Sequence, residues 1–148
     1  MTKASRPVSI IMIEDDEGHA RLIEKNIRRA GLSNEIISFA NGTSALRYFH
    51  GENEKGGEDP GRPCLVLLDL NLPDMTGVDI LEKLKANEAT RRAPVIILTT
   101  TDDKREIQRC YDLGANVYIT KPLNYENFAN AVRQLGLFLA VIQVPDAE

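Results

Sequence analysis

Leu65-Val66-Leu67-Leu68-Asp69-Leu70-Asn71-Leu72-Pro73 is the stretch on which the fold reading turns. Its opening run is short, branched and apolar, the pattern of a strand buried on both faces, as parallel sheets require. Asp69 ends that run, and a Pro-containing loop follows. Open α/β sheets bind their ligands beyond the carboxyl ends of their strands. The sequence therefore predicts that Asp69 stands at a binding edge.

Other apolar runs end in matching chemistry. Val8-Ser9-Ile10-Ile11-Met12-Ile13 leads into Glu14-Asp15-Asp16, Val95-Ile96-Ile97-Leu98 into Thr99-Thr100-Thr101, and Val117-Tyr118-Ile119-Thr120 into Lys121-Pro122. If the strands are parallel, these ends share one edge of one sheet. That edge gathers carboxylates, a hydroxyl and an ammonium.

Between the runs lie segments of helical spacing. A first helix is expected over 17–30, with Ala20, Ile23, Ile27 and Ala30 on one stripe and Gly31 stopping it. A strand over 34–39 and a helix over 42–50 follow, the helix turning Ala45, Leu46 and Phe49 inward. Residues 51–63 carry four Gly and two Pro and read as a solvated loop. A helix over 77–87 shows Val78, Ile80, Leu81 and Leu84; one over 103–113 shows Ile107, Tyr111 and Leu113. A fifth begins near Asn124, with Phe128, Ala131, Val132 and Leu135 inward. Five alternations of strand and helix predict a doubly wound α/β domain with a five-stranded parallel sheet.

Composition narrows the function. One domain is the default at 148 residues, and a 43% hydrophobic chain without Trp must build an aliphatic core. A net charge of −4, with Lys and Arg scattered along helices, argues against a nucleic-acid surface. Cys64 and Cys110 are far apart, form no CxxC and read as small buried apolar residues in a reducing compartment. No stretch is long enough to span a membrane, and the N-terminus lacks a signal peptide's apolar core, so a cytoplasmic location is expected.

Each residue of the edge has an ordinary reading when taken singly. Glu14-Asp15-Asp16 can be a solvated charged run, Thr99 a β-branched strand end, Lys121-Pro122 a helix approach and Tyr118 a half-buried edge aromatic. Pro73 and Gly77 are turn residues under any function. Pro122 also invites a cis peptide that aims Lys121 inward. Together the residues fit one chemistry. Carboxylates that converge raise one another's pKa or recruit a cation, and an oxygen-rich site suits Mg²⁺. Asp69 can then act as a nucleophile toward phosphorus. Mg²⁺ would screen the incoming phosphoryl group from Glu14 and Asp15, Lys121 would pair with it from the other side, and Thr99 would hydrogen-bond a phosphoryl oxygen.

The combination resembles the receiver domain of bacterial two-component response regulators over residues 7–138. The motifs are Ile13-Glu14-Asp15, Asp69-Leu70-Asn71-Leu72-Pro73 with Gly77, Thr99, and Lys121-Pro122, with 30 residues from Asp69 to Thr99 and 22 from Thr99 to Lys121. The resemblance implies a flavodoxin-like receiver fold of strand order 2-1-3-4-5 and a phosphoacceptor at Asp69. It implies Mg²⁺ on Glu14, Asp15, Asp69 and the Asn71 backbone carbonyl, a switch pair of Thr99 and Tyr118, and Lys121 as phosphate counter-ion. Thr100 is larger than the Ala common at that place in receivers and is expected to narrow access to the phosphorus.

The polar insertion before Pro63, the phrase Tyr118-Ile119-Thr120-Lys121-Pro122 and the tail Leu135-Gly136-Leu137-Phe138 look like stand-alone receivers partnered with bacterial phytochromes. That implies a signalling switch rather than an enzyme, with no output domain. Its expected partners are a sensor histidine kinase of the bacteriophytochrome class and a possible phosphotransfer protein downstream, reached through the face of helix four, strand five and helix five. Residues 139–148 form an apolar tail, expected to be a homodimerisation arm. Three rivals fit less well. Asp-nucleophile phosphatases use Asp-x-Asp-x-Thr, where positions 71 and 73 here are Asn and Pro. A flavin carrier shares the fold class, but Glu14-Asp15-Asp16-Glu17 would repel its phosphate. A degenerate receiver that only binds partners would have lost Asp69, Lys121 or the acidic pair.

Overall fold

The computed structural model describes residues 8–50, 64–121, 126, 130, 133 and 134. Within them β1 (Ser9–Ile13), α1 (Glu17–Arg29), β2 (Ile36–Phe39), α2 (Gly42–Phe49), β3 (Cys64–Leu68), α3 (Gly77–Ala86), β4 (Val95–Thr99), α4 (Lys104–Asp112) and β5 (Val117–Thr120) alternate along the chain. The five strands form one parallel sheet of order β2-β1-β3-β4-β5. β1 jumps across from β2 to pair with β3, so the order reverses between β1 and β3. In sheets of this kind that reversal opens a crevice at the carboxyl edge. Glu14 and Asp69 stand on either side of it.

The apolar runs are strands because both faces are covered. Ile11, Ile13, Val66, Leu68, Val95 and Ile97 pack on one side with Ala45, Phe49, Ile80, Leu81 and Cys110 from α2, α3 and α4. The alternate residues Ile10, Met12, Leu65, Leu67, Ile96 and Leu98 pack on the other with Ile23 and Ile27 of α1. Successive side chains of a strand point to opposite faces, so an unbroken apolar run fills two cores at once.

Helix boundaries follow local chemistry. The side chains of Asp16, Asn41, Thr76 and Asp103 cap α1, α2, α3 and α4 by accepting from backbone N–H groups of the first turns. α1 stops at Gly31, whose φ of 89° lies in the left-handed region that glycine enters without cost. β2 starts at Ile36 rather than at Asn34. The Asn34 side chain is spent on the Val8 carbonyl at 2.8 Å, and Arg28 holds the Leu32 and Asn34 carbonyls at 3.0 and 2.6 Å.

Two inward expectations change. On α4 the buried residue is Cys110, while Tyr111 is 44% exposed and Ile107 and Leu113 are half-buried. The Tyr111 hydroxyl instead accepts the Tyr118 N–H at 3.1 Å and satisfies a backbone donor of edge strand β5. Cys64 is half-buried rather than buried, and burial pushes its thiol up to about 11. Glu126, Asn130, Arg133 and Gln134 are helical and exposed. The expected inward stripe of helix five, the loop over 51–63, the Lys121–Pro122 peptide and the C-terminal tail lie outside the described residues. No helix among the described residues is long and apolar enough to cross a membrane.

Candidate functional site

The sheet ladder delivers each edge residue to its place. Glu14 N–H donates to the Phe39 carbonyl at 3.0 Å, Asp69 N–H to Ile13 at 3.0 Å and Lys121 N–H to Thr99 at 2.6 Å. Each residue just past a strand end is thus fixed by the last carbonyl of its neighbour. Gly77 is required behind Asp69: a Cβ there would stand 2.5 Å from the Asp69 carbonyl oxygen and 2.6 Å from Leu70 Cα. Its own N–H reaches the Leu70 carbonyl at 2.9 Å.

Glu14, Asp69, Thr99 and Lys121 are all buried, with Glu14 and Asp69 each 6% exposed and Lys121 4%. Asp15 is exposed at the rim. Lys121 Nζ donates to Glu14 Oε1 at 2.5 Å and to Asp69 Oδ2 at 3.4 Å, and also lies 3.2 Å from His19 Nδ1. Burial pushes the Glu14 carboxyl up to about 7; the hydrogen bond and charge of Lys121 oppose the rise, and the Asp69 charge adds to it. Charges this deep persist only when paired.

One carboxylate oxygen from each of Glu14, Asp15 and Asp69 lies within 4.8 Å of the others, with Glu14 and Asp69 buried and Asp15 exposed. Three hard oxygen donors, one open to water, fit a small divalent cation that keeps several of its waters. Asp16 points elsewhere: its carboxylate accepts the His19 N–H at 3.0 Å as the cap of α1.

Asn71 is more engaged than expected. Its N–H donates to Asp69 Oδ1 at 3.1 Å, and it pairs with Thr76 in an isolated antiparallel bridge. Its side-chain amide donates to the hydroxyls of Thr99, Thr100 and Thr101 at 3.2, 3.3 and 3.5 Å. The expected switch pair is also committed. Tyr118 is half-buried against the α3–α4 core, and its hydroxyl donates to the Thr101 carbonyl at 2.7 Å.

Sequence reasoning passed over two residues. His19 lies in the first turn of α1, just past the acidic run Glu14-Asp15-Asp16, and that nearness in sequence was the available signal. Asp74 sits five residues past Asp69 and accepts the N–H groups of Gly42 and Thr43 at 2.9 and 2.8 Å, together with the Thr43 hydroxyl. These donors, Thr43 O–H foremost, draw the Asp74 carboxyl down to about 2. Nothing near Asp74 in sequence announces that partner.

Residues 10–133 match the response regulator receiver domain. The response regulator Rcp1 of Synechocystis is 30% identical over 146 residues, covering 98% of this chain and 98% of its own. The Mn²⁺-bound crystal structure of Rcp1 superposes with a TM-score of 0.86 over 94% of this chain and 99% of that one, at 29% identity. A response regulator receiver domain from Rhodospirillum rubrum is 72% identical, with a TM-score of 0.88 over 95% of this chain and 99% of that one. The phosphorylated cyanobacterial phytochrome response regulator RcpA is 31% identical, with a TM-score of 0.85 over 97% of this chain and all of that one. The reversal in strand order, the buried Glu14–Lys121–Asp69 cluster and these likenesses agree: the chain belongs to the receiver domains of response regulators, and its relatives include phytochrome response regulators.

Proposed function

We propose that Asp69 accepts a phosphoryl group from a phosphohistidine of a sensor histidine kinase, and that the kinase is a bacteriophytochrome. An Asp69 carboxylate oxygen attacks phosphorus; the P–N bond breaks and the imidazole leaves with its electron pair and takes up a proton. The observation that carries the reading is Lys121 Nζ, 3.4 Å from Asp69 Oδ2 in a buried pocket, where it can neutralise an arriving anion. The likeness to phytochrome response regulators supports the choice of kinase.

Glu14, Asp15, Asp69 and the Asn71 backbone carbonyl are proposed to hold Mg²⁺, which offsets the carboxylate charge against the phosphoryl oxygens. Thr99 then donates to a phosphoryl oxygen in place of its contact with Asn71. Tyr118 follows, exchanging its bond to Thr101, and the α4–β5 face with helix five changes its partner preference. The protein turns over no substrate beyond its own phosphorylation and dephosphorylation. It acts in the cytoplasm as a homodimer through residues 139–148 and passes its signal to a docking partner or a phosphotransfer protein.

Intact mass after incubation with acetyl phosphate and Mg²⁺ tests the reading. Wild type gains one acid-labile phosphoryl group, Asp69→Asn gains none, and EDTA abolishes the gain. Labelling of Asp69→Asn at the wild-type level overturns the assignment. A wild type that gains no mass favours a receiver acting only as a protein-interaction module.

A further inference from the structure

Lys121 contacts Glu14, Asp69 and His19, and His19 has no part in the proposed phosphoryl transfer. His19 lies in the first turn of α1, with its side chain 37% exposed and its Nδ1 3.2 Å from Lys121 Nζ. An ammonium only donates, so this approach is favourable only if Nδ1 carries a lone pair. Asp16 also approaches the ring. The nearer Asp16 oxygen is 3.8 Å from Nδ1, too far for a hydrogen bond, and its other oxygen takes the His19 N–H. Asp16 therefore does not require a proton on Nδ1.

We infer that His19 is a positioning residue for Lys121: its imidazole is neutral, protonated on Nε2, and accepts a Lys121 N–H through Nδ1. The inference rests on the proposed phosphoryl transfer to Asp69. The Lys121 ammonium is drawn chiefly to Glu14 at 2.5 Å and reaches Asp69 only at 3.4 Å. Glu14 cannot serve Lys121 and a cation equally. When Glu14 turns to a cation, a neutral acceptor on α1 keeps Lys121 beside Asp69 without adding charge. A carboxylate in the place of His19 would compete with the phosphoryl group for the same ammonium.

Two measurements on the full chain decide it. The ¹⁵N shifts of the His19 ring at pH 7.5 should show a bare Nδ1 and a protonated Nε2. A proton on Nδ1 overturns the inference whatever Asp69 does. Acetyl phosphate labelling at saturating Mg²⁺ should slow about tenfold or more in His19→Ala, the loss of one hydrogen bond to a charged group. His19→Asn, whose Oδ1 stands near the place of Nδ1, should recover most of that rate. The Mg²⁺ concentration for half-maximal labelling should stay within about twofold across the variants, since His19 is not among the proposed ligands. A His19→Ala rate equal to wild type, or His19→Asn no better than His19→Ala, defeats the inference. If wild type does not label, the reading of Asp69 fails, and the ring tautomer still decides the role of His19.

Discussion

Lys121 bonds Glu14 at 2.5 Å across 107 positions of sequence, and closer than it bonds Asp69. The ammonium is thus the internal counter-charge of a carboxylate cluster. The cluster remains short of positive charge, and Glu14 carries the consequence.

Burial raises the Glu14 carboxyl from 4.5 to about 7, so the folded chain binds this proton more tightly than the unfolded one. Its contribution to stability is complete below about pH 4.5 and is lost as pH rises through about 7. The shift corresponds to about 3 kcal/mol. Urea melts in EDTA should show wild type losing about that much relative to Glu14→Gln between pH 4.5 and pH 8, and Mg²⁺ should return part of it to wild type alone. A difference between the two proteins that does not change with pH contradicts this account.

Gly77→Ala should destabilise the fold by more than about 2 kcal/mol, because the new methyl meets backbone atoms at 2.5 and 2.6 Å that cannot rotate away. It should also slow labelling, since the atom it strikes is the Asp69 carbonyl. Thermal melts alongside acetyl phosphate kinetics check both. A stable, fully active variant would show that the α3 start yields where its packing says it cannot.

Beryllofluoride with Mg²⁺ should shift the amide signals of Asn71, Thr99, Thr101 and Tyr118 together. These residues form one connected set through the Asn71–threonine contacts and the Tyr118–Thr101 bond. Tyr118→Phe should leave the shifts at Asn71 and Thr99 and blunt those along α4. Changes limited to residues 14–16 and 69–71 count against coupling through Tyr118.

Light scattering should report a dimer for the full chain at micromolar concentration and a monomer for a chain ended after Leu135. The basis is the apolar run Leu137-Phe138-Leu139-Ala140-Val141-Ile142, with Val144 beyond it. A truncated chain that stays dimeric places the interface elsewhere.

The sheet was legible in the sequence because β1, β3 and β4 are buried on both faces and leave an unbroken apolar signature. The edge chemistry was legible because Glu14, Asp69 and Thr99 stand just past or at such a run, and Lys121 just past the half-buried edge strand β5. Side chains whose partners lie far off in the chain were harder to read. Tyr111 suits an inward position by spacing, yet its hydroxyl serves the N–H of Tyr118 on an edge strand. Asn26 is buried inside α1 by bonding back to the Leu22 carbonyl at 2.9 Å, which a period of apolar residues does not signal. His19 and Asp74 find their partners only once the sheet has brought separate loops together.

The Asp74 contact makes the loop behind Asp69 mechanically lopsided. One end is clamped to the start of α2 by two N–H groups and a hydroxyl on a single carboxylate. The other end, at Asn71, is held to the threonine run by side-chain contacts of 3.2 to 3.5 Å. A push at Asp69 therefore meets an abutment on one side and a yielding joint on the other. Displacement at Asp69 should then fall on the β4–α4 side more than on α2, which would give the sheet edge a direction as well as a site.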